Sequence, residues 1–292
     1  GKECPLPPVP MSRLIPLLLL AFLGGCHQAY FGTINLGADA PLVESRSLLY
    51  DVERGLAVDV YRATDAPANA PLVLFFYGGT WRYGQREWYR FVGEALADQG
   101  FVVMIPDYRT APEVTWPAFV EDAARAAAFA RTRAAEYGAD PSRMFLMGHS
   151  AGGHIAAMLA TDARWLGAVG LKPRDFRALI GLAGPYDFLP IWNPRMKEIF
   201  PDNGQLVETQ PIHFVDGDEP PMLLLRGEQD IIVLPRHNEE MAALLGSVGV
   251  PVEVKSYPLV GHSQIVTALA RDRADLAPTL GDVVDYVKRM SQ

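Results

Sequence analysis

Five short runs of uninterrupted apolar residues constrain the fold of this chain more than any other feature. They are Leu72 to Tyr77, Phe101 to Ile105, Met144 to Met147, Ala178 to Leu182 and Met222 to Leu225. A strand with one wet face alternates apolar and polar side chains, whereas a continuous apolar run of strand length must be covered on both faces. Helical signals separate the runs. Trp88–Gln99 is closed by Gly100, and the Ala-rich Pro117–Tyr137 has proline at its start and Gly138 just past its end. Further helices are expected over Gly153–Asp162, Glu239–Leu245, Gln264–Ala270 and Gly281–Met290, with a late strand at Val252–Ser256. This alternation predicts an α/β fold, a mostly parallel central sheet flanked by helices. Upstream, Ser47–Val52 and Ala57–Tyr61 read as an antiparallel hairpin turned at Glu53–Gly55.

The rhythm breaks between Phe188 and Pro221, a Pro-, Asn- and Gly-rich interval whose apolar residues Trp192, Met196, Ile199 and Phe200 follow no period. We read residues 188–221 as a small cap inserted over the sheet edge, within one domain spanning 42–292. A net charge of −8, with no Lys/Arg block, leaves no electrostatic footprint for nucleic acid. No His/Cys/carboxylate spacing suggests a metal, and no Gly-rich phosphate motif predicts a nucleotide cofactor. No cofactor is expected.

The N-terminal residues have a different character. From Met11 the sequence runs Arg13, then apolar Leu14 to Leu23, then Gly24-Gly25-Cys26. That is the layout of an export signal, and the apolar run is shorter than the roughly 20 residues a spanning helix needs. "LGGC" is similar to a bacterial lipobox, in which Cys26 is the lipidated first residue of the mature chain. Residues 1–26 are therefore expected to be an upstream extension and lipoprotein-type signal peptide, and 27–41 a tether. The protein is expected to be exported and held by an N-terminal lipid anchor on the periplasmic side of a bacterial cell envelope. Cys4 is the only other cysteine, so neither a disulfide framework nor a thiol nucleophile is available to the folded domain.

The chemistry gathers on "MFLMGHSAGGHIAAM", Met144 to Met158. It places G-x-S-x-G, Gly148 to Gly152, between a predicted strand and a predicted helix, the context a nucleophile elbow requires. Ser150 would stand on a strained turn, with small neighbours letting other backbone approach. The amide of Ala151 would point where an oxyanion forms, aided by the helix N-terminus. A serine needs a base, and the base needs a carboxylate to orient it. Of six histidines, His27 adjoins the signal, His149 and His154 belong to the elbow and its helix, His213 lies in the cap, and His237 begins a helix. His262, in "LVGHSQ" just past the last strand, is the expected base. For the acid, Asp230 in "RGEQDIIV" follows a buried strand, with Glu228 and Asp218 as rivals. Gly227 allows the turn, and Ile231–Val233 is expected to anchor the loop.

With these residues in place, the ordered set "YGGTW", "PDYR", "GHSAGG", "GEQDIIV" and "VGHS" resembles the α/β-hydrolase esterase and lipase superfamily from about Pro71 to the C-terminus. It is most similar to the branch of kynurenine formamidases, prenylcysteine methylesterases and bacterial feruloyl or acetyl esterases. The resemblance implies a carboxylesterase-type serine hydrolase acting on a small-molecule ester through a Ser150–His262–Asp230 triad. It also implies an oxyanion hole from the amides of Gly79, Thr80 and Ala151. Tyr77, Gly78, Trp81 and Tyr186 are expected to border the substrate, with Trp81 packing under the site. Tyr77 stands where relatives usually carry histidine. "PDYR" is expected to make structural ion pairs. Two other readings stay open: an amidase, whether arylformamidase-like or a small peptidase, and a non-catalytic envelope lipoprotein that merely retains the fold.

Overall fold

A computed structural model describes residues 27–292. Eight strands form one sheet: β1 Val43–Asp51, β2 Leu56–Ala63, β3 Ala70–Phe76, β4 Val102–Pro106, β5 Ala139–His149, β6 Phe176–Leu182, β7 Met222–Gly227 and β8 Val252–Tyr257. Their spatial order is β1-β2-β4-β3-β5-β6-β7-β8. The hairpin β1–β2 and the β2–β4 contact are antiparallel, and every later pair is parallel. Residues Leu72 to Phe76, Val102 to Ile105, Phe145 to Met147 and Leu223 to Leu225 are fully buried, as both-face burial requires.

The helices are α1 over residues 27–36, α2 Arg90–Ala97, α3 Ala118–Arg133, α4 Ala151–Thr161, α5 Ala163–Gly167, α6 Pro194–Ile199, α7 Arg236–Ser247, α8 Gln264–Thr267 and α9 Thr279–Met290. β3 pairs with β4 on one side and β5 on the other, so the chain order reverses there. In such sheets a crevice opens beyond the carboxyl ends of the strands at that reversal. The loop after β3 and the turn after β5 both lie at this crevice.

Residues 27–41, expected as a tether, are corrected by the structure: α1 docks on the body of the domain. Ile34 and Phe31 are buried, and the Phe31 ring lies 4.8 Å from Tyr89, 5.9 Å from Trp88 and 6.3 Å from Phe91. Asn35 explains the attachment. Its Oδ1 accepts from the Phe91 amide at 3.0 Å, and its Nδ2 donates to the carbonyls of Glu87 and Trp88 at 3.1 and 3.2 Å. One side chain from α1 thus satisfies an amide that the start of α2 leaves unpaired. The expected signal segment and Cys26 lie outside the described residues.

The interval 188–221 carries α6 and two 3₁₀ turns, Leu206–Thr209 and Pro211–Phe214, between β6 and β7. It is tied down by the ion pair of Arg82 with Glu198 and by Trp116, whose amide donates to the Ile199 carbonyl at 2.9 Å.

Candidate active site

β5 ends at His149, and α4 begins at Ala151, so the chain reverses within one residue. That residue, Ser150, has φ 54° and ψ −121°, a conformation that costs a non-glycine residue on the order of 1–3 kcal/mol. The surrounding structure enforces it. The Ser150 amide donates to Leu182 on β6 at 2.9 Å, and its carbonyl accepts from His154 at 3.0 Å. The glycines of the motif permit the crossing: a Cβ on Gly152 would collide with the carbonyl oxygens of Phe76 and Tyr77, and one on Gly148 with that of Gly152.

His262 reaches this serine from the loop after β8. Its Nε2 lies 2.8 Å from Ser150 Oγ, and its Nδ1 2.7 Å from Asp230 Oδ2. Asp230 leaves the end of β7, and its Oδ1 accepts the amides of Ile232 and Val233 at 2.8 and 2.9 Å. Burial alone would raise the Asp230 pKa, but the His262 hydrogen bond and charge, with those two amides, hold it below the ordinary carboxylate value. Asp230 is thus the carboxylate at His262, while Glu228 is exposed. The apolar anchor expected at Ile231–Val233 reduces to Val233. Ile231 and Ile232 are 87% and 65% exposed, because the two amide bonds to Asp230 already fix the turn.

The loop after β3 supplies the facing wall. Gly79, Thr80 and Trp81 have φ of 133°, 52° and 55°, a run of three residues on the left-handed side. The Gly79 carbonyl accepts from Arg82 and Tyr83 at 3.0 and 2.8 Å, which closes the loop on itself. The amides of Gly79, Thr80 and Ala151, the three expected oxyanion donors, have no protein acceptor among the described residues. Gly78 lies so close to the elbow that a Cβ there would stand 3.1 Å from that of Ser150.

A cleft of about 300 Å³ opens between these walls, lined by Gly78, Gly79, Thr80, His149, Ser150 and His262. Aromatic side chains also line it, Tyr30 and Phe31 of α1 with Tyr83, Trp88 and Tyr89, and the interval 188–221 contributes Arg195. Of the residues expected to border substrate, Gly78 lines the cleft; Tyr77, Trp81 and Tyr186 do not. Tyr77 is buried behind the loop because its ring stacks on Tyr108 at 4.6 Å and its hydroxyl donates to Asp107 Oδ1 at 3.2 Å. Asp107 also pairs with Arg86, and Arg109 pairs with Asp122, so "PDYR" makes ion pairs on both sides. Trp81 lies under the loop and donates from its indole to His154 Nδ1 at 3.2 Å. Tyr186 is fully buried beneath Gly181 and Gly184.

Two histidines set aside at the elbow prove to be structural. His154 accepts from Trp81 and donates from Nε2 to the Thr209 carbonyl at 2.8 Å, linking the loop, α4 and the cap. His149 donates from Nε2 to the His262 carbonyl at 2.9 Å, holding the loop of the expected base. Their place in "GHSAGGH" was the available signal. The contribution of α1 and of Arg195 had none, since neither segment shows a period.

Burial lowers the pKa of His149 to about 3, and of His154 and His237 to about 4. In the unfolded chain these groups return to their ordinary 6.5. Between that value and about 4 the unfolded state therefore binds more protons, and stability falls as pH falls. Each histidine contributes a slope approaching about 1.4 kcal/mol per pH unit. Glu94 and Asp107, raised by burial, act in the opposite direction, so the informative quantity is a difference. His154→Gln keeps the donor to Thr209 and should flatten the stability curve between pH 6 and 4.5 by nearly one histidine's share. Equal slopes in urea denaturation of variant and wild type would contradict this assignment.

Solved structures place the architecture. An esterase from the archaeon Pyrobaculum calidifontis superposes with a TM-score of 0.77 at 24% identity, covering 97% of this chain and 99% of that one. The likeness establishes the α/β-hydrolase fold. Within it the family is BD-FAE, whose model matches residues 58–245, and the chain belongs to that family. Among curated relatives, Esterase LipC of Mycobacterium tuberculosis is 30% identical over 65% of this chain and 52% of its own. The isoprenylcysteine alpha-carbonyl methylesterase ICME of Arabidopsis thaliana is 26% identical over 75% of this chain and 56% of its own. The alignments span between 35% and 60% of the curated relatives' length.

Proposed function

We propose that this protein hydrolyses carboxylic esters through an acyl-enzyme formed on Ser150. The observation that carries the reading is the unbroken line Ser150 Oγ to His262 Nε2 at 2.8 Å and His262 Nδ1 to Asp230 Oδ2 at 2.7 Å, opening on a cleft beside unpaired amides. His262 takes the hydroxyl proton as Ser150 attacks the carbonyl carbon, while Asp230 fixes the tautomer and stabilises the imidazolium. The amides of Gly79, Thr80 and Ala151 receive the developing oxyanion, a service worth on the order of 10²–10³ in rate per donor. His262 then protonates the departing alcohol. A water attacks the acyl-enzyme by the same route, giving the free acid and restoring Ser150. The esterase names of the curated relatives support the ester bond as the target. A panel of p-nitrophenyl acetate against the matching p-nitroacetanilide tests the reading. Ester turnover with little anilide turnover is expected; the reverse preference would make the protein an amidase.

The second part of the proposal concerns location. The export signal and the lipobox-like "LGGC" support lipidation at Cys26 and attachment to a cell envelope. Metabolic labelling with an alkyne fatty acid should mark the wild-type chain and not Cys26→Ser. Equal labelling of both would remove the anchor from the account.

A further inference from the structure

The loops that bring the acid and the base to Ser150 carry apolar side chains that the fold does not use. Ile231 is 87% exposed, Ile232 65% and Leu259 77%, with Leu234 also exposed. These residues sit on adjoining loops, joined where the Gln229 amide donates to the Val260 carbonyl at 2.9 Å. Ile232 also lines the cleft. A group of branched aliphatic side chains left in water around a site mouth marks an interaction surface.

What covers this surface follows from other residues of the cleft. His27 and Tyr30, at the start of α1, line the same cleft. His27 directly follows the apolar run Leu14 to Leu23 and Gly24-Gly25-Cys26. The residue that precedes His27 in the chain is Cys26, the proposed lipidation site. A proposed lipidation site next to His27 in the sequence and exposed isoleucine and leucine beside the cleft both call for an apolar phase over the mouth.

We propose that the mouth of the Ser150 cleft is a bilayer-docking surface, and that the substrate is an amphiphilic ester taken from the membrane interface. Ile231, Ile232 and Leu259 enter the acyl boundary, and the cleft opens directly onto the lipid phase. The net charge of −8 favours a neutral, zwitterionic surface over an anionic one. The inference rests on the ester-hydrolase reading for its substrate, but not for its binding surface.

The test uses the full chain with Cys26→Ser and with Leu17→Ser, Leu18→Ser, Leu19→Ser and Leu20→Ser, so that neither a lipid on Cys26 nor the apolar run before it contributes. Phosphatidylcholine vesicles carrying a fluorogenic decanoate ester are compared with p-nitrophenyl acetate in water. Adding Ile231→Ser and Leu259→Ser, neither of which lines the cleft, should lower vesicle binding in flotation about tenfold or more. The rate on the vesicle ester should fall in parallel, with the rate on p-nitrophenyl acetate unchanged. Vesicle binding that is equal with and without these two substitutions overturns the proposal. A chain inactive on both esters would strike the hydrolase reading instead, and the flotation comparison would still decide the docking surface.

Discussion

Ser150→Ala is expected to lower kcat for p-nitrophenyl acetate by about 10⁴–10⁶-fold while KM changes little. The serine oxygen is the only part of the residue that the proposed chemistry uses, and its backbone conformation is imposed from outside. The Leu182 and His154 bonds and the close approach of Gly152 to β3 all hold the turn without the hydroxyl. Alanine at φ 54° bears much the same strain as serine. The variant should therefore fold with a wild-type melting curve. Residual activity above a tenth of wild type would show that another group attacks the ester.

Asp230→Asn should cost about 10⁴-fold in kcat. The asparagine carbonyl can keep the amides of Ile232 and Val233, so the turn survives. Its amide nitrogen, however, faces His262 Nδ1 with a donor where the wild type has an acceptor. The imidazole must then present the wrong tautomer to Ser150. Glu228→Gln is the matched control: Glu228 is exposed and should change the rate by less than about twofold. Parity between the two variants would contradict the placement of the acid.

The parts of the fold that are legible in the sequence are those where burial leaves no freedom. A strand covered on both faces admits no polar residue, so the runs at Leu72, Phe101, Met144, Ala178 and Met222 reveal themselves. The elbow is readable for a related reason, since only glycine fits where Gly148 and Gly152 meet carbonyl oxygens. α1 is hidden because its attachment depends on few residues, Phe31, Ile34 and Asn35, around a helix-weakening Gly32. The short α5 is missed for want of length. In the cap, short turns are fixed by tertiary contacts such as Arg82 with Glu198, which leave no period.

The site divides in the same way. Ser150, His262 and Asp230 were identifiable because each follows a strand at the carboxyl edge of the sheet. Tyr77 and Tyr186 were misplaced because direction matters as well as position: both rings turn inward, away from the cleft. Tyr77 stacks on Tyr108 and hydrogen-bonds to Asp107, so it braces the loop after β3 from behind.

The most direct test of the central claim is mass spectrometry of the chain after reaction with a fluorophosphonate. One phosphonyl adduct is predicted, on the peptide containing Ser150, with ester hydrolysis lost in proportion to labelling. Ser263 lines the same cleft and is the rival nucleophile. An adduct on Ser263, or full labelling with activity retained, would contradict the account.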